Sequence, residues 1–130
     1  MKTDNETLLL ENILKNIIEV NEMEYDMLEE IFEHQLALQV RMGSDTHSQE
    51  FCNTMSLALM VETGEFIQET KWKPWKKSAV FNKEAAKEEL IDALHFWTNL
   101  ALFLDMTPQE VHELYLKKNK VNHERQDGGY

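Results

Sequence analysis

The chain has 130 residues, enough for one domain spanning 1–130 with a hydrophobic core but not comfortably enough for two. Its 24 acidic against 13 basic side chains give a formal net charge of −11, which disfavours nucleic acid and anionic membranes unless a local basic patch overrides it. Cys52 is the only cysteine, which excludes an intrachain disulfide, and the short, charge-interrupted apolar runs lack a membrane span or secretory signal, so a cytoplasmic setting is expected.

Four glycines and two prolines leave few breakers, and apolar residues recur at three- and four-residue spacing. An all-α, single-domain bundle of about five helices is expected. Leu10, Ile13, Leu14 and Ile17 form the stripe of the first helix, with a break at Asn21. Leu28, Ile31, Phe32, Leu36 and Leu38 continue the pattern in the second. Met42 to Gln49 has loop composition, and Phe51, Met55, Leu59 and Phe66 then mark a third helix to about Thr70. In KWKPWKKSAVFN, Pro74 removes a backbone donor and biases Lys73 away from helix, so a loop carrying two tryptophans is predicted. A fourth helix covers Lys83 to Leu104. Thr107-Pro108-Gln109-Glu110 is a capping pattern opening a fifth, which should end near Glu124 or Arg125, ahead of Asp127-Gly128-Gly129.

Glu62 and Glu65 are three residues apart, as are Glu89 and Asp92, so each pair projects from one helix face on adjacent turns. Both pairs fall in or beside the apolar stripe of their helices. Carboxylates at a helix interface need compensation, and no comparable set of cations shares those faces, so hard divalent ions are the natural counter-charge. All-oxygen ligation points to Mg²⁺, with Mn²⁺ as a substitute, because zinc prefers His and Cys. Surface glutamates of an acidic helix would give an isolated pair of the same spacing.

WKPWK places Trp72 and Trp75 among Lys71, Lys73, Lys76 and Lys77, a combination that can stack a base and meet phosphates, or simply anchor a loop on the core. Tyr115, Lys118, Asn122 and Arg125 form one stripe of the fifth helix, either a phosphate-binding face or a solvated one. Gln35 lies on the buried side of the second helix, with Gln39 one turn on. Its amide needs a partner, which a pyrimidine edge or another helix can supply. His95 follows Asp92 by three residues and can face the same site.

Taken together, FEHQLALQ (32–39), ETGEFIQETKWKPWK (62–76), EELIDALHFW (88–97) and KNKVNHERQDGGY (118–130) resemble the dimeric, all-α dUTPase family, related to the MazG-like NTP pyrophosphatases. The resemblance implies that Glu62, Glu65, Glu89 and Asp92 bind two or three Mg²⁺. It implies that Lys76, Lys118, Asn119, Asn122 and Arg125 serve the phosphates, and that Gln35, Gln39 and His95 form the base pocket with Trp72 or Trp75. The expected reaction is hydrolysis of dUTP to dUMP and diphosphate by a metal-activated water, in a homodimer. Gln39 departs from the Asn or Asp that relatives tend to carry there. The alternatives are a MazG-like pyrophosphohydrolase of another nucleotide, such as dCTP or a modified base, and a non-catalytic acidic helical binding protein.

Overall fold

The computed structural model describes residues 7–15 and 26–129. Helix α1 covers 7–15 and leaves Leu10, Ile13 and Leu14 exposed; Ile17, the expected break at Asn21, and Tyr130 lie outside the described residues. Four longer helices follow: α2 (Met27–Met42), α3 (Gln49–Gln68), α4 (Lys83–Phe103) and α5 (Pro108–Asp127). The described residues contain no strand, and no helix among them is long and apolar enough to cross a membrane.

Each long helix starts on a side chain that satisfies otherwise orphaned amides. The Asp26 carboxylate accepts from the Leu28 and Glu29 amides at 3.0 and 3.1 Å. Ser48 accepts from Phe51 at 3.0 Å, Asn82 from Ala85 at 3.2 Å, and Thr107 from Glu110 at 3.1 Å, with Pro108 in the first turn of α5. Helix α2 stops because Gly43 adopts φ 69°, letting the Ser44 amide reach the Gln39 carbonyl and the Gly43 amide the Val40 carbonyl. The α2–α3 loop is tied to the α4–α5 turn by His47 Nε2 and Asp105 Oδ1, 2.8 Å apart.

Among α2 to α5, α3 and α4 form the most extensive contact, α2 rests on α4, and α5 touches α2 but neither α3 nor α4. The Asn82 amide donates to the Glu69 carbonyl at 2.9 Å, closing the neck of the loop between α3 and α4 and returning α4 antiparallel alongside α3. Phe32, Phe51, Ala86 and Ala101 are buried, and so are four polar side chains, Gln35, Gln39, Thr98 and Asn99. The expected α2 stripe is shifted: Leu36 and Leu38 are exposed, and the buried face is Phe32, Gln35 and Gln39. That rotation lets Gln35 reach a hydrogen-bonding partner on α4. Leu57, Met60 and Val61 of α3 and Leu90, Ile91 and Trp97 of α4 remain exposed. A single chain therefore leaves much of its apolar surface uncovered.

Candidate functional site

Antiparallel pairing sets the carboxylates of α3 opposite those of α4. Glu62, Glu89 and Asp92 each bring one oxygen within 4.8 Å of the others. The first two are half-buried and Asp92 is exposed. Glu65, one turn along α3, is exposed and stands outside this converging trio, but its charge acts on both glutamates.

Burial pushes the Glu62 carboxyl above its ordinary range, and the charges of Glu65 and then Asp92 add to the shift, while a hydrogen bond with Glu89 opposes it. Glu89 is raised by burial, by Glu65, Glu62 and Asp92, and by its hydrogen bond to Glu62. Glu62 Oε2 is buried without a partner, and no cation pairs with any of the four acids among the described residues. Converging carboxylates, an orphaned oxygen and no counter-charge fit a hard divalent cation such as Mg²⁺. The cluster therefore has the capacity to bind a metal.

On its other flank α4 faces α2 across a cavity of about 440 Å³. Gln35, His95 and Thr98 line it together with apolar Ile31, Leu38, Ile91 and Leu94. His95 lies three residues beyond Asp92, a rise of about 4.5 Å, so cavity and carboxylates sit on neighbouring turns. Gln35 Nε2 donates to Asn99 Oδ1 at 2.8 Å, and Asn99 Nδ2 meets Met55 Sδ at 3.1 Å. Gln39 is buried with Oε1 unpartnered, but it does not line this cavity. Asn99 and Thr98 are functional candidates that sequence reasoning passed over. The seven-residue step from Asp92 to Asn99, two turns of one stripe, is the signal that marks Asn99.

Trp72 and Trp75 pack edge to face, their centroids 5.9 Å apart at 79°, and Lys73 Nζ lies 5.1 Å from the Trp72 centroid. Both rings remain exposed, so within this chain the tryptophans brace each other more than they anchor the loop on the core. Lys76 joins Trp72 and Lys73 around a smaller cavity of about 230 Å³. Tyr115, Lys118, Asn119, Asn122 and Arg125 are exposed on α5, and α5 reaches neither α3 nor α4. One chain thus gathers the carboxylates and Gln35 with His95, while α5 packs on neither of the helices that carry the carboxylates.

A family model described as dUTPase matches residues 27–111, well over half of the chain. The chain belongs to the dUTPase family. The dUTPase match contains Gln35, Gln39, all four carboxylates, the tryptophan loop and His95, and it ends before Lys118. The chain is also similar to two phage proteins named dCTP pyrophosphatase. The one from Enterobacteria phage T4 is 32% identical over 103 residues, 70% of this chain and 60% of the relative. The one from Enterobacteria phage LZ5 is 38% identical over 82 residues, 54% of this chain and 48% of the relative. The chain thus spans about half to three-fifths of the length of these relatives. No solved structure matches it.

Proposed function

We propose that this dUTPase-family chain is a Mg²⁺-dependent pyrophosphohydrolase of pyrimidine deoxynucleoside triphosphates, converting dCTP or dUTP and water to the monophosphate and diphosphate. The observation that carries it is the meeting of Glu62, Glu89 and Asp92 one helical turn from the cavity lined by Gln35 and His95. The family description and the names of the two phage relatives share this substrate class.

Glu62, Glu89 and Asp92, with Glu65 swung in from the next turn, would hold two or three Mg²⁺, with Mn²⁺ able to substitute. When bound, the ions supply a more acidic water and neutralise phosphate charge. Metal ligation requires both carboxylates ionised, so it works against the raised pKa of Glu62 and Glu89. Gln35 and His95 meet the base edge, with Gln39 buried behind them, and Trp72 or Trp75 stacks on the base while Lys76 meets a phosphate. Lys118, Asn119, Asn122 and Arg125 meet the phosphates from the α5 of a second copy, because α5 packs on neither of the helices that carry the carboxylates of its own chain. A homodimer would also cover the exposed apolar residues of α3 and α4.

A panel of the common (d)NTPs assayed for diphosphate release with and without Mg²⁺ tests the proposal. Mg²⁺-dependent turnover confined to pyrimidine deoxynucleotides is expected. Turnover of purine nucleotides at comparable efficiency, or none at all, overturns it.

A further inference from the structure

The polar side chains around the α2–α4 cavity are held with fixed hydrogen-bond polarity, and the source of that polarity is remote from the cavity itself. The Met55 thioether can only accept, so the Asn99 group facing it at 3.1 Å must be the amide nitrogen. Asn99 Oδ1 then faces α2, where it accepts from Gln35 Nε2 at 2.8 Å. Gln35 is thereby oriented in turn. Its Oε1 and its second N–H are left without a hydrogen-bond partner among the described residues, and they are the groups that Gln35, buried as a whole, can offer to the cavity it lines.

His95 adds a second acceptor by the same logic. Its Nδ1 lies 3.0 Å from the Ile91 carbonyl, which cannot donate, so Nδ1 carries a proton and Nε2 is the lone-pair nitrogen of the neutral tautomer that this contact selects. Thr98 adds no donor, because its hydroxyl proton goes to the Leu94 carbonyl at 2.8 Å. Glu30 and His34 line the cavity as well, with His34 Nε2 3.7 Å from Glu30 Oε1, so the donor that His34 can offer is turned toward Glu30, itself an acceptor when ionised.

Gln35 alone could pair with either pyrimidine, since its Oε1 and remaining N–H match N4–H and N3 of cytosine as well as N3–H and O4 of uracil. The second acceptor decides between them. The 4-amino group of cytosine carries two hydrogens, one for Gln35 and one for His95, whereas the 4-oxo group of uracil sets its lone pairs against the His95 lone pair.

We infer that the α2–α4 cavity selects a cytosine base over uracil, and that Asn99, itself oriented by Met55, is the positioning residue that holds Gln35 with its carbonyl toward the base. This rests on the proposed reading of the site and refines its substrate. Removing Asn99 frees the Gln35 amide to turn over, which sets its NH₂ group against the cytosine 4-amino group and toward a uracil O4, so the cytosine preference that fixed Gln35 and His95 produce together is lost.

The test compares kcat/KM for dCTP and dUTP, alongside equilibrium binding of dCMP and dUMP, in the full chain and in the Asn99→Leu and Met55→Leu variants. The full chain prefers dCTP, and binds dCMP more tightly, by at least about tenfold. Asn99→Leu brings both ratios within about threefold of unity, chiefly through KM, and Met55→Leu moves them the same way by less. Met55→Leu preserves core volume, so the relay stays testable should Asn99→Leu fail to fold. Equal use of the two nucleotides by the full chain, or unchanged ratios in either folded variant, overturns the inference. Tighter dCMP binding without turnover of any triphosphate would instead remove the proposed activity and leave the base selection standing.

Discussion

Glu62 of α3 and Glu89 of α4 face each other with both carboxyls raised above their ordinary range, so the fold holds together two groups that resist ionising side by side. The sign of the consequence follows from linkage. A carboxyl with a raised folded pKa keeps its proton longer in the folded state, so its contribution to stability is full below the unfolded value of about 4.3 and is lost as pH rises through the folded value. The metal-free protein therefore loses stability from this pair as pH rises from about 4.3 through the raised folded values. Mg²⁺ reverses the loss, because the ion binds the ionised form. Thermal unfolding followed across that range should show a rise in Tm on adding Mg²⁺ that grows with pH. A Mg²⁺ effect that is flat in pH would separate the pair from the ion.

Asp92→Asn and Glu65→Gln probe different roles. Asp92 belongs to the converging trio and Glu65 stands one turn away from it, yet both should lower Mg²⁺-dependent turnover by at least about a hundredfold, since each removes a carboxylate expected to ligate the ions. Far-ultraviolet circular dichroism should be unchanged. Near-normal turnover in Glu65→Gln would restrict that residue to an electrostatic role, and the same result in Asp92→Asn would remove the metal assignment.

The helices and the carboxylates were legible in the sequence for physical reasons. Thr107 heads a capping pattern, apolar residues recur at helical spacing, and pairs spaced three apart must share a helix face. The buried orientation of Gln35 was legible too, from its four-residue step after Ile31. Its partner was not, because Thr98 and Asn99 sit in WTNLALF, where polar residues between apolar ones read as a turn toward solvent. The α2 stripe was misplaced for a related reason. Apolar spacing marks Leu36 and Leu38 as inward, but the helix turns to pair Gln35 with Asn99 and exposes both leucines. Nor does periodicity along α5 say which neighbour its cationic stripe meets.

Gly43→Ala tests the stop signal of α2. The φ of 69° there costs a side-chain-bearing residue about 1 kcal/mol, although nothing within 4 Å would clash with the added methyl group. Tm should fall by about 4 °C with turnover per folded molecule unchanged. An unaltered Tm would mean that the α2–α3 loop relaxes freely into another conformation.

The separation of α5 from the carboxylates within one chain makes the last prediction a matter of counting sites. If the phosphates are held by α5 of a second copy, each site combines the acids of one chain with Lys118 and Arg125 of the other. Asp92→Asn and Arg125→Ala chains are then each inactive alone. Mixed and allowed to exchange, they form hybrids in half of the dimers at random, and each hybrid carries one intact site and one doubly damaged site. Activity should return to about a quarter of the wild-type value per chain. A site built wholly within one chain gives no recovery at any mixing ratio, and diphosphate release measured against that ratio distinguishes the two arrangements.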